Sequence, residues 1–126
     1  MNDVSTEPQP SGSRWCIADF AILAPVACPC GQSRRAFAEI SNAPASLHQV
    51  EIGADARAHY HKRLTEMYYI LECEPGAELE LDRARVPVRA GQCCLIPPGV
   101  RHRAVGKMTV LNVVVPRFDP DDEWFD

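Results

Sequence analysis

Apolar and polar residues alternate in many short runs along this chain, and this pattern predicts β-strands rather than helices. AELELD alternates at nearly every position, as a strand does when only one of its faces is buried. Runs rich in β-branched and aromatic residues are also typical of strands. On these grounds we expect further strands in AFAEI, SLHQVEI, HYH, EMYYILE, VPV, GQCCLIPPG, RHRAV and MTVLNVVVP.

The spacing of these runs indicates an all-β fold. No long amphipathic helix is visible, and the 11 prolines and 7 glycines interrupt the chain often, as short strands joined by turns require. About eight or nine short strands at close spacing are typical of an antiparallel sandwich or barrel. The proline in VPV favours an edge strand or a bulge, because proline cannot donate a hydrogen bond to a neighbouring strand.

The length of the chain favours a single domain. Its 126 residues suit one hydrophobic core. We divide the chain into a disordered tail over residues 1–13, one folded domain over residues 14–118 and an acidic C-terminal tail over residues 119–126. We expect the C-terminal tail to be solvated, with one or two aromatic rings packed on the surface.

Charge and hydropathy exclude two classes of partner. The formal net charge of −4 gives no basic surface of the kind that binds nucleic acid. The longest apolar stretch, residues 17–28, is interrupted by Asp19 and Pro25 and is too short to cross a membrane. Residues 1–13 carry no Lys or Arg, so the basic start of a secretory signal is not visible, and the cytoplasm is the expected location.

The 6 cysteines are expected to be reduced thiols, because nothing marks the chain as secreted and it is long enough to form a core without disulfide bonds. Cys28 and Cys30 in the sequence CPC are candidate ligands for a soft metal, but a complete zinc site needs further ligands that are not local. The alternative is an ordinary surface loop. Cys93 and Cys94 alternate along a strand, so at least one of them is expected to be buried.

Two of the 4 histidines stand one residue apart, and a glutamate follows them. Alternate side chains of an extended segment point to the same side, so His59 and His61 face one way and Tyr60 the other. Their Cα atoms are then about 6.5–7 Å apart, which lets two imidazoles converge on one metal ion. If the strand that begins at Glu66 runs antiparallel beside this segment, its carboxylate faces the same interior point. Such a mixed set suits Fe, Mn, Ni, Cu or Zn.

These residues and a second group downstream resemble the two motifs of the cupin superfamily. The first motif matches in order and spacing at Gly53, His59, His61 and Glu66. The second matches at Gly91, Pro97, Gly99 and His102. Cys73 and Gly106 stand where the motifs have a glycine and an asparagine, and both departures lie outside the presumed ligand set. The resemblance covers about residues 46–116.

The resemblance implies an all-β cupin double-stranded β-helix, which is a jelly-roll barrel of two antiparallel sheets. It also implies that one divalent metal ion (Fe, Mn, Zn or Ni) is held inside the barrel by His59, His61, Glu66 and His102. Desolvation agrees with this expectation, because buried histidines are costly unless they are paired or bound to metal. A metal-free barrel with hydrogen-bonded core histidines is the alternative, since some cupins have lost their metal.

Four protein ligands leave one or two positions of a five- or six-coordinate ion open, which is typical of catalytic sites. We therefore expect a metal-dependent enzyme, either a dioxygenase or an isomerase or lyase. Three neutral imidazoles, one carboxylate and a divalent cation carry a net positive charge, so the small-molecule ligand is expected to be an oxygenated anion. The alternative is a non-catalytic small-molecule-binding or sensor cupin.

Other residues are candidates for the lining of the cavity. Tyr68 shares a face with Glu66 and is a candidate catalytic phenol, with a plain core aromatic as the alternative. His48 shares a face with Val50 and Ile52 and is a candidate proton-transfer residue or metal neighbour, with a hydrogen-bonded wall residue as the alternative.

Several arginines and a lysine lie near the predicted site. One of Arg34 and Arg35 is expected to face inward, where it would clamp a carboxylate or phosphate; the alternative is a solvated pair. The remaining basic side chains alternate away from the ligand positions and are expected to be exterior: Arg57, Lys62, Arg63, Arg101 and Arg103.

The apolar stretch WCIADFAILAPVAC is larger than the outside of a small barrel needs. An apolar surface of this kind usually finds a partner. We therefore expect a homodimer, formed by symmetric pairing.

Overall fold

The computed structural model describes residues 14–54 and 56–126, so the tail predicted over residues 1–13 lies outside the described residues. Within the described residues the fold consists of nine strands and one short 3₁₀ helix, Pro120–Asp122. The strands are β1 (Val26–Cys28), β2 (Gly31–Ala36), β3 (Ser46–Ile52), β4 (Thr65–Cys73), β5 (Glu78–Leu81), β6 (Ala84–Pro87), β7 (Cys93–Ile96), β8 (His102–Val105) and β9 (Met108–Val115).

Two antiparallel sheets make up the barrel, which confirms the predicted fold class. The larger sheet has the strand order β1-β2-β3-β9-β4-β7, and the smaller has the order β6-β5-β8. β9 is inserted between β3 and β4, so strands distant in sequence become neighbours, as in a jelly roll. β6, which ends at Pro87, lies at the edge of the smaller sheet, as the proline in VPV predicts.

Two of the predicted strands differ from the structure. The AFAEI run is a turn after Ala36, because Phe37 has a φ of 67° and its carbonyl oxygen accepts a hydrogen bond from the N–H of Ile40. That φ lies in the left-handed region, which an extended strand cannot contain. The HYH run forms isolated bridges, from His59 to His102 and from Tyr60 to Trp124, rather than a full strand.

Register within the larger sheet divides the barrel interior into an apolar end and a polar end. Val50 pairs with Val110, and Val110 pairs with Ile70, so branched side chains form one level of the core. One level further along, His48 pairs with Asn112. Glu66 lies beyond them on the same inward face of β4. The apolar residues of the larger sheet pack against the smaller sheet. The polar residues at the other end of the barrel are therefore free to form a site.

Both terminal segments are tied to the barrel. On the outside, Arg34 donates hydrogen bonds to the carbonyl oxygens of Leu23 (2.6 Å) and Phe20 (3.3 Å). At the other terminus Asp122 is only 4% exposed, which differs from the solvated tail expected for residues 119–126.

In the part of the chain that the structure describes, no helix has the length and apolar character needed to span a membrane.

Candidate metal centre

The four predicted ligands come from both sides of the barrel. His102 is the first residue of β8 in the smaller sheet, and His59 is joined to it by a pair of backbone hydrogen bonds of 3.2 and 2.9 Å. Glu66 lies on β4 of the larger sheet, where it pairs with β7 and β9. The strand of Glu66 therefore does not run beside the HYH segment, which was the condition considered from the sequence. The loop after His61 crosses between the sheets, and the carboxylate meets the imidazoles across the interior.

The structure brings these four side chains to one buried point. One potential ligand atom from each of His59, His61, Glu66 and His102 lies within 4.8 Å of those of the other three, and all four residues are buried. Oε1 of Glu66 is 3.0 Å from Nε2 of His61 and 2.9 Å from Nε2 of His102. The rings of His59 and His102 are 4.4 Å apart between centroids. The histidine–carboxylate set therefore has the compactness that a single ion requires.

Backbone carbonyl groups fix the orientation of all three imidazoles. Nδ1 of His59 lies 3.2 Å from the carbonyl oxygen of Arg57, and Nδ1 of His102 lies 2.9 Å from that of Val100. Nδ1 of His61 lies 2.6 Å from the carbonyl oxygen of Asp122. A carbonyl oxygen only accepts hydrogen bonds, so each Nδ1 carries the proton and donates it. In a neutral ring the lone pair is then on Nε2, the atom turned toward the cluster, as in metal-ligating histidines.

This arrangement fits a cation at the centre. Neutral Nε2 atoms and the Glu66 carboxylate are all acceptors, so their approach to about 3 Å is repulsive unless a proton or a metal ion lies between them. Nε2 of His102 is buried and has no hydrogen-bond partner among the described residues. Its neighbour at 2.9 Å, Oε1 of Glu66, is therefore in contact without hydrogen-bond alignment. Three imidazoles and one carboxylate are donors that Fe, Mn, Ni and Zn accept.

The pKa directions within the cluster follow from burial and mutual charge. Burial alone would raise the pKa of Glu66, but its contacts with His102 and His61 hold that pKa well below the usual value. Burial opposes protonation of His61, yet its hydrogen bond with Glu66 raises the pKa of this imidazole. Burial lowers the pKa of His59 to about 4, so this ring is neutral at physiological pH. The site thus keeps an ionised carboxylate beside at least one neutral imidazole.

Two residues that support the cluster are not among the candidates chosen from the sequence. Asn112 donates a hydrogen bond from Nδ2 to Oε2 of Glu66, while its Oδ1 is buried with no partner among the described residues. The sequence pattern could have indicated Asn112, because it is the polar residue on the inward face of β9 between Val110 and Val114. No local feature of the sequence indicates Asp122, because this residue contacts His61, about sixty positions earlier.

The structure also places the two predicted catalytic side chains. Tyr68 is buried on the same face as Glu66, and its ring centroid is 6.2 Å from that of His102. Burial raises the pKa of this phenol well above its ordinary value. His48 is 3% exposed, and its Nε2 lies 2.9 Å from Oγ of Ser46. Tyr68 thus contacts the ring of a proposed ligand, whereas His48 contacts Ser46 and the edge of the Phe118 ring.

Of the two neighbouring arginines, Arg35 is the one on the inward face. Arg35 pairs with His48 across β2 and β3, so both side chains leave the sheet on the same side. Its guanidinium lies 4.4 Å from the ring centroid of Phe118 and donates from Nε to Ser33 Oγ at 3.1 Å. Within residues 14–54 and 56–126, it forms no ion pair with a carboxylate. A groove of about 560 Å³ that includes Arg35, Arg63 and Phe118 opens beside it.

The basic residues expected on the exterior pack against the outside of the site. Arg57 lies over the Phe125 ring at 3.9 Å, Lys62 over the Trp124 ring at 3.6 Å and Arg101 over Tyr60 at 3.5 Å. The remaining two pair with carboxylates, Arg63 with Asp119 and Arg103 with Glu80. The C-terminal aromatic residues therefore cover the outer side of the segment that carries His59 and His61.

A small barrel of two antiparallel sheets, with three imidazoles and a carboxylate gathered inside, defines the class of β-barrel proteins built around an interior metal-ligand set. Residues 46–114 match the model of the cupin domain family, and the chain belongs to that family. The resemblance read from the two motifs is thereby confirmed. Among proteins with curated descriptions, no sequence match to the chain was found.

Solved structures with the same fold include a relative that matches nearly the whole chain. A protein from Planctomyces limnophilus is 39% identical, with a TM-score of 0.83, and the match covers 94% of this chain and 97% of that chain. Ectoine synthase from P. lautus is 18% identical, with a TM-score of 0.69 over 86% of this chain and 87% of its own. Streptomyces Pac13, described as a unique nucleoside dehydratase, is 20% identical, with a TM-score of 0.62 over 74% and 73%. The latter two likenesses show the fold alone.

Proposed function

We propose that this cupin binds one divalent metal ion through His59, His61, Glu66 and His102 and is a metal-dependent enzyme. The observation that carries the proposal is the orientation of the imidazoles, whose Nδ1 atoms all donate to backbone carbonyls. Each Nε2 atom is thereby turned away from the backbone and available to a metal ion, and those of His61 and His102 lie 3.0 and 2.9 Å from Oε1 of Glu66. A metal ion at this point would be held by the Nε2 lone pairs and the carboxylate together.

The ion that we propose is Fe, Mn, Zn or Ni. When bound, it would supply either a Lewis acid that polarises an oxygen of the substrate or a redox centre. The two possibilities correspond to an isomerase or lyase and to a dioxygenase. The protein's own part is to hold the four ligands rigidly, through backbone hydrogen bonds on every imidazole, and to keep the site buried.

The substrate class that fits the charges is a small oxygenated anion. A divalent ion with three neutral imidazoles and one carboxylate retains positive charge, and Arg35 adds another on the same inward face. Burial first and the charge of Arg35 second lower the pKa of His48, and the same charge opposes the burial that raises the pKa of Glu123, so the guanidinium acts on the polar end of the barrel. A guanidinium binds a carboxylate or phosphate through two parallel hydrogen bonds.

Tyr68 and His48 are the residues to which we assign proton handling. The raised pKa of Tyr68 keeps its phenol protonated at neutral pH, so it is a hydrogen-bond donor toward the interior. The lowered pKa of His48, about 4, keeps that ring neutral and able to accept a proton. Tyr68 is the stronger candidate for contact with a substrate, because it is adjacent to the ligands on β4.

Enzymes with this fold, such as ectoine synthase and the nucleoside dehydratase Pac13, are compatible with the proposal. Their identities of about one fifth carry no information on substrate, so the proposal rests on the residues of this chain. The alternative from the sequence, a non-catalytic small-molecule-binding module, uses the same ligand set and differs in turnover.

Metal analysis tests the proposal directly. Protein purified without chelator and without a metal-stripping tag is expected to contain one divalent ion per chain. His61→Ala is expected to abolish that stoichiometry, whereas Lys62→Ala, a change of the exposed neighbour, is expected to retain it. Full occupancy in His61→Ala would refute the ligand set. The loaded protein is then incubated with small oxygenated anions while oxygen uptake and product formation are followed, and bound metal without turnover would support the binding module.

We also propose that the chain forms a homodimer through its N-terminal apolar segment. Trp15 is 56% exposed and Ile22 is 62% exposed. Large apolar side chains that are exposed together favour burial against a second copy.

A further inference from the structure

The CPC sequence places two thiols side by side on a rigid turn, outside the metal-ligand set. Sγ of Cys28 and Sγ of Cys30 are 3.0 Å apart and share a hydrogen bond. Both residues are free cysteines of intermediate exposure. Cys28 ends β1, and its register partner across the hairpin is Gly31, so the two thiols belong to the tight turn between β1 and β2.

The turn is held in place by contacts on both sides. The carbonyl oxygen of Cys30 accepts a hydrogen bond from Gly53 N–H at 3.1 Å, and that of Pro29 accepts one from Arg57 N–H at 3.0 Å. Gly31 has a φ of +151°, and a Cβ there would lie 2.1 Å from the carbonyl oxygen of Glu51. The absence of a side chain at Gly31 therefore allows the turn to lie close against Glu51, and the intervening proline restricts the backbone of the turn. The two sulfur atoms are held facing each other.

The environment of the pair divides the two thiols into a nucleophile and a proton donor. The hydrogen bond from Cys30 lowers the pKa of Cys28 to about 7, against the effect of burial, and the backbone N–H groups of Cys30 and Gly31 act in the same direction. The same hydrogen bond, together with burial, raises the pKa of Cys30. This asymmetry is typical of dithiols that exchange with disulfides, because the thiolate is the attacking species.

We propose that Cys28 and Cys30 form a redox-active dithiol site that exchanges with low-molecular-weight disulfides. In the first step the Cys28 thiolate attacks one sulfur of the small disulfide, which forms a mixed disulfide and releases one thiolate. Cys30 then loses its proton to solvent and attacks the Cys28 sulfur, which forms the Cys28–Cys30 bond and releases the second thiolate. The two cysteines lose two electrons, and the small disulfide gains them.

Only a short movement separates the reduced pair from the oxidised one. A disulfide bond is about 2.05 Å long, so the sulfur atoms must approach each other by about 1 Å. The intramolecular second step is favoured over attack by an external thiol because the partner is already in contact. Neither cysteine belongs to the ligand cluster, and the Glu66 carboxylate contributes to the raised pKa of Cys30.

The test uses the full-length, metal-loaded, reduced protein and 2-hydroxyethyl disulfide. Wild-type protein is expected to lose two thiols and two hydrogen atoms in mass, with the bond mapped to residues 28 and 30 and no adduct retained. Cys30→Ser is expected to retain a stable mixed-disulfide adduct on Cys28. Cys93→Ser, which removes an exposed cysteine from another strand, is expected to form the internal bond normally.

Alkylation by iodoacetamide gives a second measurement that needs no variant. With a pKa of about 7, Cys28 is expected to react about threefold faster at pH 7 than an unperturbed thiol, because its larger thiolate fraction outweighs its lower intrinsic nucleophilicity. The proposal is overturned if wild-type protein accumulates an adduct on Cys28 without the internal bond. It is equally overturned if Cys28 alkylates no faster than an unperturbed thiol, whether or not the variants fold.

Discussion

The backbone carbonyl of Asp122 accepts a hydrogen bond from Nδ1 of His61 at 2.6 Å, across 61 positions of sequence. The carboxylate of the same residue accepts the backbone N–H groups of Lys62 (3.0 Å), Arg63 (2.9 Å) and Leu64 (2.9 Å). These three residues form the loop that crosses from one sheet to the other. One C-terminal residue thus fixes both the ring of His61 and the chain that leads away from it.

We expect Asp122→Ala to weaken metal binding although it removes no ligand. Without the carboxylate, three backbone donors of the loop lose their partner, and His61 and Glu66 are no longer held in one geometry. Loss of a supporting hydrogen bond of this kind typically costs about 10- to 100-fold in metal affinity. Competition with a fluorescent chelator measures the affinity. The exposed neighbour provides the control: Asp121→Ala should bind as wild type, and equal losses in both variants would contradict the assignment.

Removal of the metal is expected to lower thermal stability. A ligand that binds only the folded state at 100 times its Kd contributes about 2.7 kcal/mol, which corresponds to a decrease in Tm of about 10 °C for a domain of this size. Calorimetry with and without chelator measures the difference. His61→Ala should show no dependence on chelator, and a similar decrease in that variant would show that the chelator acts elsewhere.

The pH dependence of stability should carry a contribution from His48. Burial first, and the charge of Arg35 second, lower its pKa to about 4, while Glu66 acts in the opposite direction. The unfolded chain has a histidine pKa of about 6.5, so between these values it binds more protons than the folded protein. Stability is therefore fully present above about pH 6.5 and falls by up to about 3 kcal/mol as pH decreases toward 4.

His48→Gln is expected to flatten this part of the profile. Urea unfolding of wild type and variant at several pH values between about 7 and 4.5 gives the two slopes. The other titrating groups, including His59, contribute to both proteins alike. If the two slopes were the same, His48 would not be the neutral buried imidazole that the structure describes.

Arg35 is expected to determine the preference for anions. Arg35→Gln should weaken binding of small carboxylates to the metal-loaded protein by about 10- to 100-fold, since a hydrogen bond to a charged group contributes about 1.5–3 kcal/mol. Arg34→Gln is the matched control, because the side chain of Arg34 lies outside the barrel and bonds to Leu23. Calorimetric titration with carboxylates and their neutral amides measures both. Tighter binding of the amides would count against an anionic ligand.

We expect the protein to be a dimer in solution. Light scattering at micromolar concentration should give about twice the chain mass of 14.0 kDa. Ile22→Lys should shift the protein toward monomer, because it places a charge in the apolar segment. Leu95→Lys changes an equally exposed leucine on the larger sheet and should leave the dimer intact. A monomeric wild-type protein would remove the basis of the dimer proposal.

Local features of the sequence were sufficient for much of the fold. SLHQVEI was predicted as a strand and is β3, Ser46–Ile52, with alternate residues buried. The same alternation places His59 and His61 in one interior cluster while Tyr60 faces Arg101 on the outside. These predictions succeed because side-chain direction along an extended backbone repeats every two residues, whatever surrounds it. The prediction of a strand over AFAEI was wrong, because residues with the composition of a strand can still include one with a left-handed backbone, as Phe37 does.

What the sequence by itself determined was most of the strands, the spacing of the ligand residues and the family. Only the tertiary structure decided that Glu66 meets the imidazoles from the opposite sheet, that Arg35 lies opposite His48, and that Asp122 supports His61. The physical reason is the sequence distance over which each kind of interaction acts. Backbone geometry sets periodicity over a few residues, whereas the register of distant strands and the path of a terminal segment depend on how the whole chain packs.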